Sequence, residues 1–194
     1  MTRITFAGIA LAITSLAAPV SAQQPWSFEL RVNGDVPTQD IGADELGTGL
    51  GFEGTLGYRF LPHLGAYAGW DWIHFNPEAS FAGADMDFEE TGYVFGLRFE
   101  HPFRGETGGP AWWVRAGGTV DHIEIEDQEG DIIADSGHGL GWEAGAGVAI
   151  EAGRWSFTPG VRYRSLSRDI DMGSVTTPVD LRYVAFELGF ARRF

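Results

Sequence analysis

The sequence predicts an all-β protein, an eight-stranded antiparallel up-and-down transmembrane β-barrel. Three observations predict it. Eight segments alternate apolar and polar residues with period two, the mark of strands with one apolar and one polar face. The connections between them alternate between short and long, as in barrels with tight turns at one end and loops at the other. The residues opposite the apolar ones balance arginine against carboxylate, although the chain as a whole carries a formal charge of −14.

The chain begins MTRITFAGIALAITSLAAPVSA, with one early base, Arg3, an apolar stretch from Ile4 to about Leu16 and small residues Val20, Ser21 and Ala22. This is the pattern of a secretory signal peptide over 1–22, leaving a single barrel domain over 23–194. The apolar run is shorter than the ~20 residues a helical span needs, and no later segment approaches ~18 uninterrupted apolar residues. There is no cysteine, so neither disulfides nor a lipid anchor on Cys is available. Every base among the 13 is arginine, against 27 acids. That balance excludes a nucleic-acid partner, which would need basic patches.

The strands follow in order. WSFELRV sets Trp26, Phe28, Leu30 and Val32 against Ser27, Glu29 and Arg31, and GLGFEGTLGYRF sets Leu50, Phe52, Leu56, Tyr58 and Phe60 against Glu53, Thr55 and Arg59. LGAYAGWDW opposes Trp70 and Trp72 to Tyr67 and Asp71, and TGYVFGLRF opposes Tyr93, Phe95, Leu97 and Phe99 to Gly92, Gly96 and Arg98. AWWVRAGGTVD opposes Trp112, Val114 and Val120 to Trp113, Arg115, Thr119 and Asp121; beyond it Ile123 and Ile125 fall on the polar side and obscure the phase, so a bulge is expected there. LGWEAGAGVAIE opposes Leu140, Trp142, Val148 and Ile150 to Glu143 and Glu151. WSFTPGVRYRS opposes Trp155, Phe157, Val161 and Tyr163 to Thr158, Arg162 and Arg164, with Pro159 predicting a bulge or break. DLRYVAFELGFARRF closes the series, with Val184, Phe186, Leu188 and Phe190 opposite Glu187, Gly189 and Arg193.

LPH and AGR are short connections, and EHPFRGETGGP is a Gly- and Pro-rich turn at the same end. DVPTQDIGADELG, NPEASFAGADMD, EDQEGDIIADSGH and RDIDMGSVTTPVD are long, polar and acidic, and are expected as external loops. Together with the strand ends they carry eighteen acids against Arg168 and Arg182, so divalent ions could bridge them to lipopolysaccharide phosphates.

The polar face collects seven arginines (Arg31, Arg59, Arg98, Arg115, Arg162, Arg164, Arg193) and seven acids (Glu29, Glu53, Asp71, Asp121, Glu143, Glu151, Glu187). A solvated face has no need of such equality. An enclosed interior does, because unpaired buried charge is costly and guanidinium forks bind carboxylates bidentately. The predicted lumen network is Glu29, Arg31, Glu53, Arg59, Asp71, Arg98, Arg115, Glu143, Arg162, Arg164 and Glu187. Glycines crowd the same face and make room for Arg, Tyr67 and Trp113 in a lumen just wide enough for side chains. Trp and Tyr near the strand ends of the apolar face suit interfacial girdles.

An export signal, eight alternating strands and the ending FELGFARRF resemble the small outer-membrane β-barrel family of Gram-negative bacteria, the opacity-protein and OmpA-like barrels. The resemblance implies location in the outer membrane. It also implies that Phe186, Leu188, Phe190 and Phe194 form a signal read by the barrel-assembly machinery; Arg192 departs from that pattern. The implied protein is a monomer in contact with outer-membrane lipids, non-enzymatic and without a cofactor, contributing to envelope integrity or surface interaction. The barrel-closing strand at the end of the sequence carries the further expectation that no periplasmic domain follows.

Two other readings start from local motifs. DSGHG places Asp135, Ser136 and His138 together, the residue types of a lipid-modifying hydrolase, although sequence proximity is no triad. A narrow conduit for ions or small solutes is the other alternative. His63, His74, His101 and His122 are scattered without metal-ligand spacing. EIEDQEGDIIAD is acidic but departs from the EF-hand pattern and reads as a solvated loop. GLGFEG and GAGVAIEAG precede no helix, so they are not phosphate loops.

Overall fold

A computed structural model describes residues 25–39, 46–77, 87–104, 109–126, 132–172 and 175–194. The expected signal peptide and parts of the long connections lie outside them. The strands are β1 (Trp26–Pro37), β2 (Leu46–Arg59), β3 (Leu64–Pro77), β4 (Asp87–Pro102), β5 (Ala111–Glu126), β6 (Ile132–Asp135), β7 (Gly139–Ala152), β8 (Trp155–Met172) and β9 (Val175–Arg193). Eight of them form a ring of antiparallel neighbours in the order β1, β2, β3, β4, β5, β7, β8, β9, and β1 pairs with β9 to close it. The short β6 is an addition, a flap paired only to the end of β5.

Alternation fixes what each face meets. Phe28, Leu30 and Val32 on β1, Phe95 and Leu97 on β4, and Phe186, Leu188 and Phe190 on β9 point outward and are exposed. Between them Glu29, Arg31, Glu53, Arg115, Glu143, Arg162 and Arg164 point inward and are buried. This is the inverse of a water-soluble barrel, and closure leaves none of these strands with a bare edge in hydrocarbon. Aromatic rings border the belt on both sides. Trp26 and Tyr58 meet at 4.8 Å near one end, and Trp142 and Tyr163 at 5.4 Å near the other.

At the end with short turns, Gly153 and Arg154 join β7 to β8 in a two-residue hairpin, with Ala152 paired to Trp155. Gly153 has φ of 66°, which two-residue hairpins require and side chains resist.

The structure corrects three sequence-based expectations and bears out a fourth. Strands reach far into the expected external loops: β8 and β9 pair without interruption from Trp155↔Arg192 to Met172↔Val175, so RDIDMGSVTTPVD is mostly ladder. Arg168 therefore lies in a strand and is buried inside the barrel. The bulge expected after Asp121 is absent from the β4–β5 register, which is continuous from Asp87↔Glu126 to Pro102↔Ala111, and a register shift occurs only on the β5–β6 side, between Ile125 and Glu126. Ile123 and Ile125 point inward like the residues before them, because the inner face itself turns apolar toward the external end. At Pro159 the β7–β8 pairing lapses and resumes at Ile150↔Phe157 in the same register, a local break without a bulge, as expected of a residue that lacks an N–H.

Candidate functional site

The interior is built in three tiers. The middle tier is ionic. Glu53 on β2 accepts from Arg31 at 2.9 Å, from both Nη atoms of Arg115 at 2.7 and 3.0 Å, and from Arg162 at 2.6 Å. Glu143 on β7 accepts from Arg162 at 3.1 Å, from Arg164 at 2.9 Å and from the Tyr67 hydroxyl at 2.7 Å, with Arg115 at 3.3 Å. Glu187 on β9 lies 2.9 Å from Arg162 Nε. Asp71 pairs with Arg164, which also donates to Glu90 at 2.8 Å. These charges come from all eight barrel strands, and every carboxylate among them has at least one guanidinium beside it, so none stands in a bare apolar medium.

The tier toward the short turns is looser and partly exposed. Glu29 joins Arg31 at 2.7 Å and Arg98 at 2.9 Å, and accepts a hydrogen bond from Thr158. Glu100 collects Arg98 at 3.1 Å, Arg193 at 2.7 Å and Arg59 at 3.8 Å, and Arg193 also pairs with Glu151. A cavity of about 80 Å³ lies among these groups. The indole of Trp113 is fully buried, with the guanidinium of Arg98 4.7 Å above its ring and that of Arg31 at 5.5 Å. Gly147 and Gly160 leave the space this ring occupies, since a Cβ at either would collide with it.

The tier toward the long connections is apolar. Ile73, Phe75, Phe88, Ile123, Ile125, Leu166, Ile170 and Leu181 form one buried cluster inside the barrel. Phe75 makes edge contacts with Phe88 and Tyr183, with ring centroids 6.0 and 5.4 Å apart. This cluster covers the ionic tier and closes the external end of the lumen.

The predicted network residues thus fall into two groups. Glu53, Asp71, Arg115, Glu143, Arg162, Arg164 and Glu187 share the middle tier, and Arg59 and Arg98 lie in the lower one, with Glu29 and Arg31 linking them. Sequence reasoning missed Glu90, Glu100 and Asp35. Glu90 and Glu100 keep the inward phase of Arg98, so extending the alternation of β4 beyond the belt would have found both. Asp35 and Glu90 are completely buried, which removes them from the acids able to meet lipid.

The wall of the barrel divides toward its external end. Beyond Asp121↔Gly139 strand β5 parts from β7, while β8 continues upward along β9. Arg168 spans the gap. Its guanidinium donates to the carbonyls of Asp121 at 3.0 Å, Leu140 at 3.0 Å, Ser167 at 2.8 Å and Gly139 at 2.5 Å.

The DSGHG residues do not assemble a nucleophile. Ser136 Oγ accepts from the Ile123 N–H at 2.8 Å and donates to the Gly137 carbonyl at 3.0 Å, while His138 stacks on His122 with centroids 4.4 Å apart. The histidines are less scattered than the sequence suggests, for His122 lies beside Glu124 and Asp135. At the C-terminal end, Phe186, Leu188, Phe190 and Phe194 are all exposed on the outer face, and the Phe194 N–H donates to the Trp26 carbonyl at 3.0 Å. Arg192 shares that face and lies over the Trp155 ring at 5.3 Å, an arrangement suited to the headgroup region.

Comparison with known proteins gives a consistent result. Residues 8–194 match the family model described as outer membrane protein beta-barrel domain. No curated protein sequence matches. Among solved structures, neisserial surface protein A superposes with a TM-score of 0.65 at 14% identity, covering 87% of this chain and 97% of that one. OprG from Pseudomonas aeruginosa superposes with a TM-score of 0.57 at 14% identity, covering 89% and 97%. At such identity the likeness is one of fold.

Proposed function

The chain belongs to the outer membrane protein β-barrel domain family and is a protein of the Gram-negative outer membrane, and from that premise we propose that it is a non-enzymatic, monomeric barrel contributing to envelope integrity or surface interaction. The observation that carries this reading is the filled lumen, with interlocked Arg, Glu and Asp at mid-height beneath a cap of packed Ile, Phe and Leu. Eight strands leave an interior that side chains can fill, and these do. A conduit would need a continuous wet path, and the apolar cap opposes one. Outer-membrane lipids are its surroundings, the barrel-assembly machinery inserts it through the aromatic C-terminal strand, and divalent ions link its exposed external acids to lipopolysaccharide phosphates.

The test joins planar-bilayer recording of the purified protein to permeability assays on a deletion strain. The expected result is no steady conductance together with increased entry of large antibiotics and detergents into the deletion strain. Stable ohmic conductance would establish the conduit instead, and release or transfer of an acyl chain from lipid A would establish an enzyme.

A further inference from the structure

His122, Glu124 and Asp135 lie on the outside of the barrel wall, above the apolar belt. His122 and Glu124 share the outer face of β5, two residues apart, and Asp135 on β6 is the direct cross-strand partner of Glu124. His122 Nδ1 is 3.3 Å from Asp135 Oδ1 and 3.6 Å from Glu124 Oε1, and the three ligand atoms lie within 4.8 Å of one another. Ligands about 2.0–2.1 Å from a tetrahedral zinc are about 3.3 Å apart, so two of the three separations already approach those of a bound ion.

Charge points the same way. Glu124 faces Asp135 across β5–β6 and Glu89 across β4–β5, which puts three carboxylates side by side on one face. Like charges directly opposite in a sheet are destabilising. Among the described residues no arginine pairs with any of the three; Glu89 is engaged by Trp72 Nε1 at 2.9 Å and His74 at 3.3 Å. The row concentrates negative charge on one face, and an imidazole nitrogen stands among its oxygens. Two contacts fix the donors. Asp135 Oδ1 accepts the Gly137 N–H at 2.8 Å, and the His138 ring lies parallel to that of His122, 14° from coplanar orientation.

We propose that His122, Glu124 and Asp135 form a binding site for a divalent transition-metal ion of the zinc type, with a fourth position open to solvent or an external ligand. One nitrogen and two carboxylate donors suit zinc better than calcium or magnesium, which favour all-oxygen shells of six or more ligands. The site is independent of what the barrel does in the envelope.

The experiment is calorimetric titration of untagged, refolded protein in detergent with zinc chloride, repeated with calcium and magnesium. Heat-modifiable gel migration of every variant shows that it is folded. The expected result is one saturable zinc site per chain, weakened at least tenfold by His122→Ala and by Glu124→Gln and unchanged by His63→Ala. Cobalt substitution should give the strong visible absorption of a four-coordinate ion. Absence of saturable binding, equal affinity in the folded His122→Ala and Glu124→Gln variants, loss through His74→Ala alone, or tighter binding of calcium than of zinc would each overturn the proposal.

Discussion

Arg168 donates from Nη1 to the carbonyl of Leu140 at 3.0 Å across the place where β5 and β7 part. Four carbonyls around that parting are served by a single guanidinium. Arg168→Ala should therefore lower stability by about 2–3 kcal/mol, the cost of stranding buried acceptors. Arg168→Lys should recover only part of this, since an ammonium lacks the planar fork. Urea unfolding in detergent measures both, and protease cleavage near Gly139 should accelerate in the alanine variant.

Glu143 balances Arg115, Arg162 and Arg164 at once. Glu143→Leu should cost ~3 kcal/mol or more by leaving buried cations underpaired. Adding Arg164→Met should not restore the loss, because Arg164 also neutralises Asp71 and Glu90. Reversible unfolding of the single and double variants decides the matter, and a single variant of wild-type stability would contradict the network.

Gly160→Ala should destabilise by ~1–3 kcal/mol through overpacking against Trp113. Trp113→Leu in the same chain should relieve part of that cost while weakening the seats of Arg31 and Arg98. Near-ultraviolet circular dichroism reports the environment of the indole, and unfolding midpoints report the coupling.

Phe194→Asp should sharply reduce the heat-modifiable, protease-resistant band in cells, yet leave refolding in detergent nearly intact. One interfacial side chain contributes only ~1–3 kcal/mol to stability, so a large defect in cells alone would locate its role in assembly. Normal outer-membrane levels of the variant would remove that role.

The alternation of the eight barrel strands was legible because the bilayer and the lumen impose opposite demands on successive residues. Nothing blurred that signal within the belt, where Phe28, Leu30 and Val32 interleave with Glu29 and Arg31. Above the belt the rule changes. Water now meets the outer face, so Glu89, His122 and Glu124 point out and Phe88, Ile123 and Ile125 point in, which reads as a lost phase to anyone expecting a uniformly polar interior. Individual ion pairs such as Glu53 with Arg115 depend on strand stagger around the ring and have no signature in spacing. The cluster of His122 with Asp135 depends on the flap β6, whose four residues are too few to show a period.

The seam between the first and last strands, β1 and β9, sets Arg31 3.9 Å from Glu187 in the middle tier. Arg31 also has Glu53 on β2 beside it, and Glu187 has Arg162 on β8, so the seam joins two sets of charges that are each already paired. Register at this seam therefore has an electrostatic consequence: a slip of one residue between the first and last strands would turn the inward set of one of them, Arg31 or Glu187 included, toward lipid.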